Sequence, residues 1–230
     1  VTDVARFRAL LSPSENERFD SYRNDADRRR FLTGRTLARF VLAEQLDMPA
    51  ARIEFDATCA DCGKPHGPPR LAGSELVFSI THSGERVGLA LCHDAAVGLD
   101  VEGTNRNVTD RLLSYALNRT ELATFDGLPS VERAGRFFTY WVRKEAVMKA
   151  TGRGLELPLR RITLAGSAGQ PRLIDSGDPT VPPETTRLAD LSPGSGYAAA
   201  LAVLATSELT VHERWWKPPG GSAPHDSPSC

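Results

Sequence analysis

Asp100 and Glu102 stand two apart in V-G-L-D-V-E (Val97–Glu102), and Glu145 and Lys149 stand four apart in W-V-R-K-E-A-V-M-K (Trp141–Lys149). The first segment is apolar and reads as a strand. Alternate side chains of a strand face the same way, roughly 6.5–7 Å apart along the chain. Val97, Leu99 and Val101 then pack one side, while Gly98, Asp100 and Glu102 line the other. Two carboxylates that close repel unless something positive stands between them, and a hard divalent cation answers that need. The second segment reads as a helix whose spacing sets Glu145 and Lys149 on one stripe with Phe138, Trp141 and Val142. Taken alone, the pair would be an ordinary i,i+4 surface contact. Next to a carboxylate pair it reads as working chemistry, because charges among large apolar side chains are expensive to desolvate.

The elements that must position these groups are legible in part. A basic helix starts near Asn24 or Asp25, either of which caps it, and Phe31, Leu37, Ala38, Val41, Leu42 and Leu46 recur at helical spacing. Arg28, Arg35 and Arg39 share a stripe beside that buried face, with Arg30 off it. Strands are expected at Leu76–Ile80, Val87–Cys92 and Ala96–Glu102, with turns at Ser83-Gly84 and His93-Asp94, as an antiparallel meander. Helical periodicity returns over Thr109–Phe125 and Phe137–Ala150, and Ile162–Leu164, Pro171–Ile174 and Ala198–Leu204 read as later strands. Gly166–Ser195 looks loose, with a surface loop over Asp175–Glu184. Beyond Lys217 the Pro-, Gly- and Ser-rich tail cannot bury a core. Trp215-Trp216 either pins that tail or forms an exposed apolar contact.

Composition narrows the class. With 230 residues, 40% hydrophobic and 25% charged, the chain can bury a sizeable core as one domain or two small ones. A net charge of −1 argues against a general nucleic-acid binder. No run reaches the ~18 apolar residues of a membrane span, and the N-terminus lacks a secretory layout, so the expected location is the cytoplasm. Cys59 and Cys62 form C-x-x-C with His66 four residues on, and Cys92-His93 follow later. That is half a zinc pattern, set against the plainer reading of a Gly/Pro-rich loop with two reduced thiols.

In order, V-G-L-D-V-E and W-V-R-K-E-A-V-M-K-A-T-G-R-G-L are joined by G-K-P at Gly63–Pro65 and S-I-T-H-S at Ser79–Ser83. With Leu157-Pro158-Leu159 and Gly196-Tyr197, this order resembles the 4'-phosphopantetheinyl transferases of the surfactin-synthetase-activating type. The resemblance implies an α+β fold of two similar α/β halves with the active site between them, here 1–102 and 103–216, followed by a disordered tail over 217–230. It implies transfer of the 4'-phosphopantetheine arm of coenzyme A to a serine of an apo acyl or peptidyl carrier protein, with release of adenosine 3',5'-bisphosphate. Asp100, Glu102 and Glu145 would hold magnesium, or manganese in its place. Glu145, Lys149 and Asp100 would be catalytic, with Glu145 taking the serine proton directly or through a water. Arg28, Arg35, Lys64, Thr81, His82 and Lys149 would contact coenzyme A, His82 from the turn after its strand. Glu121 would support the metal, Asn105–Leu117 would meet the carrier, and the chain would be a monomer. Two other readings stay open: a coenzyme A- or nucleotide-binding regulatory module, and a metal-dependent phosphohydrolase using water in place of serine.

Overall fold

In the computed structural model, which describes residues 4–59, 62–64, 67–152 and 157–219, three helices open the chain. They are α1 (Val4–Arg8), α2 (Pro13–Ser21) and α3 (Asp25–Gln45). The start of α2 is written locally as a capping box: Ser12 Oγ accepts from Glu15 N–H at 3.2 Å, and Glu15 Oε2 accepts from Ser12 N–H at 2.9 Å. Asn24 caps α3, its Oδ1 accepting from Ala26 N–H at 2.7 Å. Strands β1 (Leu76–Ser83), β2 (Arg86–His93) and β3 (Ala96–Gly103) follow, then α4 (Asp110–Ala116), α5 (Arg119–Leu122) and the long α6 (Ser130–Thr151). The chain ends through β4 (Thr163–Leu164), β5 (Leu173–Asp175), β6 (Thr186–Leu191) and β7 (Tyr197–Leu204). Helices and antiparallel strand pairs are segregated, an α+β arrangement.

The strand order departs from a meander. β1 and β2 form an antiparallel hairpin, but β3 pairs with β7, and β6 completes a sheet of order β3-β7-β6. Short-range turn chemistry at Asp94, which adopts a left-handed φ of 58°, reverses the chain after β2. It does not decide which edge β3 joins. The periodic stretch expected over Thr109–Phe125 breaks at Leu117-Asn118, because Asn118 starts a new capping box with Glu121. β6 lies in a region expected to be loose; Arg187 and Asp190 interrupt its apolar run, and β7 supplies the pairing that makes it a strand.

α6 carries the larger core. Phe137, Phe138, Tyr140, Val142, Ala146, Val147 and Met148 pack with Leu113, Leu117, Phe125, Ile162, Ala200 and Ala202. Its end is set by Gly152, whose φ of +69° makes the left-handed cap that glycine adopts most readily. Val97 and Leu99 of β3 are buried on the opposite face with Leu201 and Val203. No helix among the described residues is long and apolar enough to cross a membrane.

Candidate active site

The site is built where β3 lies against α6. Gly98 makes that approach possible: a Cβ there would fall 2.0 Å from the Ala146 carbonyl oxygen and 2.4 Å from the Ala150 nitrogen. Two residues on, Asp100 meets the helix side chain one turn past Glu145. Lys149 Nζ donates to Asp100 Oδ1 at 2.7 Å, to the Leu99 carbonyl at 3.0 Å and to Thr81 Oγ1 at 3.1 Å. Asp100, Glu102, Glu145 and Lys149 line one cavity of about 320 Å³, walled also by Ile80, Thr81, His82 and Trp141. The four groups singled out by spacing are therefore brought together.

Their electrostatics follow from burial and crowding. Burial, then the neighbouring Glu102 charge, push the Asp100 carboxyl up, against the pull of Lys149. Burial also raises the Glu145 carboxyl, and Asp100 and Glu102 add to it. His82 is pushed down by burial and then by the Arg30 charge, which favours neutral imidazole at pH 7. Glu102 Oε2 accepts from Ser83 Oγ at 2.6 Å and from Arg106 Nη2 at 2.8 Å.

The magnesium that the resemblance implies can be tested against these groups. Asp100 Oδ2 is buried and has no hydrogen-bond partner among the described residues. Three carboxyls, two of them raised first by burial and then by neighbouring carboxylate charge, offer the hard oxygen donors a divalent cation takes. The donor chemistry fits. As placed, no group of three His, Cys, Asp or Glu side chains among the described residues converges closely enough to hold an ion. Lys149 is engaged on Asp100, and Ser83 and Arg106 are engaged on Glu102.

Other expected residues lie elsewhere. His82 belongs to β1 and not to a turn after it, because pairing with β2 extends the strand to Ser83↔Arg86. Arg28 donates to the Tyr22 carbonyl at 2.9 Å and pairs with Asp25 at 3.2 Å. Arg35 is buried against Glu15 at 3.2 Å, between the rings of Phe31 and Phe55, and burial lowers its pKa to about 10. Arg39 meets the same carboxylate at 2.5 Å. The arginine stripe thus faces α2, and neither Arg28 nor Arg35 lines the cavity. Arg30, off the stripe, is the α3 side chain that reaches the site's edge: it donates to the Gly84 carbonyl at 3.0 Å and acts on His82. Lys64 is exposed and does not line the cavity either.

Glu121, expected beside the metal, does not line the cavity. It is buried against Lys144, accepts from Leu164 N–H at 3.0 Å, and completes the α5 capping box. Lys144 donates in addition to the Ala116 and Leu159 carbonyls at 2.8 and 3.1 Å, tying α6 to the end of α4 and to the turn before β4. The zinc expectation rests on His66, which is outside the described residues. Sequence reasoning passed over Ser83 and Arg30. The alternation of hydroxyls in S-x-T-x-S was a readable sign of the first, whereas nothing local marked the second.

Fold and cleft define a class: an α+β protein whose acidic, lysine-bearing site lies between a strand and a helix. Residues 96–202 match the family model described as 4'-phosphopantetheinyl transferase superfamily, and residues 2–94 match 4'-phosphopantetheinyl transferase, N-terminal. The chain is 30% identical over 197 residues to 4'-phosphopantetheinyl transferase HetI of Nostoc sp., covering 85% of this chain and 79% of that protein. A phosphopantetheinyl transferase of Thraustochytrium sp. is 31% identical over 68% of this chain and 58% of its own length. 4'-Phosphopantetheinyl transferase Sfp of Bacillus subtilis is 29% identical over 67% of this chain and 66% of its own. The chain belongs to the 4'-phosphopantetheinyl transferase superfamily, and it is an enzyme that transfers the phosphopantetheinyl group.

Proposed function

We propose that the cleft moves the 4'-phosphopantetheine arm of coenzyme A to a serine hydroxyl of an apo acyl or peptidyl carrier protein. The serine oxygen forms the new P–O bond as the pyrophosphate P–O bond breaks, and adenosine 3',5'-bisphosphate leaves. The observation that carries this reading is the meeting of Asp100, Glu102, Glu145 and Lys149 in one cavity. Glu145 takes the serine proton; burial, then the Asp100 charge, raises its carboxyl above the ordinary value, the direction that makes it a stronger base. Lys149 neutralises charge that builds on phosphate oxygens. Thr81 and neutral His82, which line the cavity, orient the phosphates, whereas Lys64, outside the lining, would contact only a part of coenzyme A that extends beyond the cavity. Asp100, Glu102 and Glu145 would hold magnesium or manganese, which supplies positive charge at the pyrophosphate. Arg28 and Arg35 are given a structural part instead, since both already have protein partners.

On this reading the carrier docks on the segment after β3. Leu113 is only 3% exposed and Arg106 is held by Glu102, so Arg111 and Tyr115, which is 53% exposed, form the contact. The two halves close on the cleft as a cytoplasmic monomer, and the pairing of β3 with β7 supports a seam between His93 and Ala96 in place of one after Glu102.

The test is intact-mass measurement of apo carrier proteins incubated with the protein, coenzyme A and magnesium. We expect a gain of one phosphopantetheine, abolished by chelation and by Glu145→Gln. Coenzyme A binding with no gain on any carrier would favour the regulatory module. Adenosine bisphosphate formed without a carrier would favour hydrolysis.

A further inference from the structure

β1 and β3 run side by side without a backbone ladder between them. β1 pairs with β2 and β3 pairs with β7, each antiparallel. An unpaired strand edge inside a protein leaves N–H groups that must find partners. On β3 those are supplied by side chains. Ser79 Oγ accepts from Leu99 N–H at 3.1 Å, Thr81 Oγ1 from Val101 N–H at 3.4 Å, and Ser83 Oγ from Gly103 N–H at 3.2 Å. Both series ascend by two, the period at which strand side chains and strand N–H groups return to the same side. The hydroxyls therefore stand in for the carbonyls of a parallel neighbour.

Two of these hydroxyls also give a proton to a carboxylate. Thr81 Oγ1 donates to Asp100 Oδ1 at 3.3 Å, and Ser83 Oγ donates to Glu102 Oε2 at 2.6 Å. Thr81 and Ser83 thus each accept from one β3 N–H and donate to the carboxylate of the residue just before it, whereas Ser79 only accepts. The geometry points to Ser83 as a positioning residue for Glu102, in a ladder of Ser79, Thr81 and Ser83 that sets the β3 register and aims both carboxylates. The inference deepens the transferase reading of this cavity and rests on it.

Tyr197 supports the ladder from outside. Its hydroxyl accepts from Glu85 N–H at 3.0 Å, in the turn just after Ser83. Arg86 donates to the Pro193 carbonyl at 2.7 Å from the same turn. The β1–β2 turn just after Ser83 is thereby latched to the segment entering β7. Alanine at position 83 removes both bonds, whereas threonine keeps a hydroxyl at the same distance from the backbone.

The experiment compares Ser83→Ala, Ser83→Thr and Ser79→Ala by steady-state kinetics and by amide hydrogen exchange of the free protein. For Ser83→Ala we expect kcat to fall about tenfold with KM for coenzyme A changed less than about twofold, since a bond to a charged group is lost but the phosphate contacts are not. Ser83→Thr should recover most of that kcat. Exchange should quicken roughly tenfold at Gly103 in Ser83→Ala and at Leu99 in Ser79→Ala. Parental kcat in Ser83→Ala, or a threonine variant as slow as the alanine one, overturns the inference. So does unchanged exchange at Gly103 or at Leu99. Exchange needs neither coenzyme A nor carrier, so the ladder is judged even where no transfer is measured. Should Ser83→Ala fail to fold, Ser79→Ala and Ser83→Thr decide alone.

Discussion

Gly98 shows how one missing side chain organises the chemistry. The Ala146 carbonyl and the Ala150 nitrogen occupy the space a Cβ would need. Because both obstacles are backbone atoms, α6 as a whole must retreat if that space is filled. Glu145 and Lys149 ride on α6, so their distance to Asp100 changes with it. Gly98→Ala should lower stability by about 1–3 kcal/mol, as overpacking does, and should reduce kcat/KM more than the stability loss explains. Thermal unfolding and kinetics on the folded fraction check this. A variant with parental kcat/KM would mean that the helix can be displaced without cost to the site. Lys149 makes three bonds and none is to a freely exposed group, which is why a small displacement matters.

Among the elements, the α2–α3 pair has a charge arrangement that responds to pH. Glu15 caps α2 and receives Arg35 and Arg39 from α3. Burial would raise its carboxyl, but the hydrogen bonds from Arg39 and Ser12 and the two guanidinium charges outweigh burial and hold it below 4.5. A depressed folded-state pKa means stability that is present above the unfolded value and lost as pH falls through the folded one. Glu15→Gln should therefore destabilise the protein by about 3 kcal/mol at pH 7, leaving two buried cations short of a counter-charge. The gap between variant and parent should narrow as pH drops below 4.5, the carboxyl's ordinary value. Urea denaturation at several pH values reads this directly; a pH-independent gap would assign Glu15 to packing alone. The arginines that spacing placed beside a buried face do lie there, but the partner they meet is a carboxylate of this chain.

Across the whole molecule, the segment after β7 returns over the N-terminal helices. Arg187 donates to the Thr206 and Ser207 carbonyls at 2.5 and 3.1 Å, and Leu209 and Val211 pack beside Val97, Leu99, Leu201 and Val203. Glu213 accepts from Ser192 N–H at 2.9 Å. Arg86 stacks on Tyr197 and on Trp215, Trp216 sits 6.1 Å from Phe40 of α3, and Arg6 of α1 donates to the Pro219 carbonyl at 3.2 Å. Trp216 thus pins the segment, while Trp215 stays 71% exposed. Ending the chain after Glu208 should lower stability by roughly 2–4 kcal/mol, the scale of burying one or two large apolar side chains. The urea midpoint checks this, and an unchanged midpoint would make the segment a passive overlay.

Much of the site was legible because periodicity is a property of the local chain. Alternation along Val97–Glu102 told which carboxylates share a face, i,i+4 spacing put Glu145 beside Lys149, and Asn24 announced a helix start that the fold keeps. Those patterns say which side chains travel together; they do not say what they meet. That β3 joins β7 and not β2, that Glu121 is consumed by Lys144, that Arg35 turns to Glu15, and that three hydroxyls of β1 complete the edge of β3 were decided only by contacts between distant parts of the chain. The physical reason is that each buried charge or N–H takes whichever partner the packed fold brings within reach, and that choice is made in three dimensions.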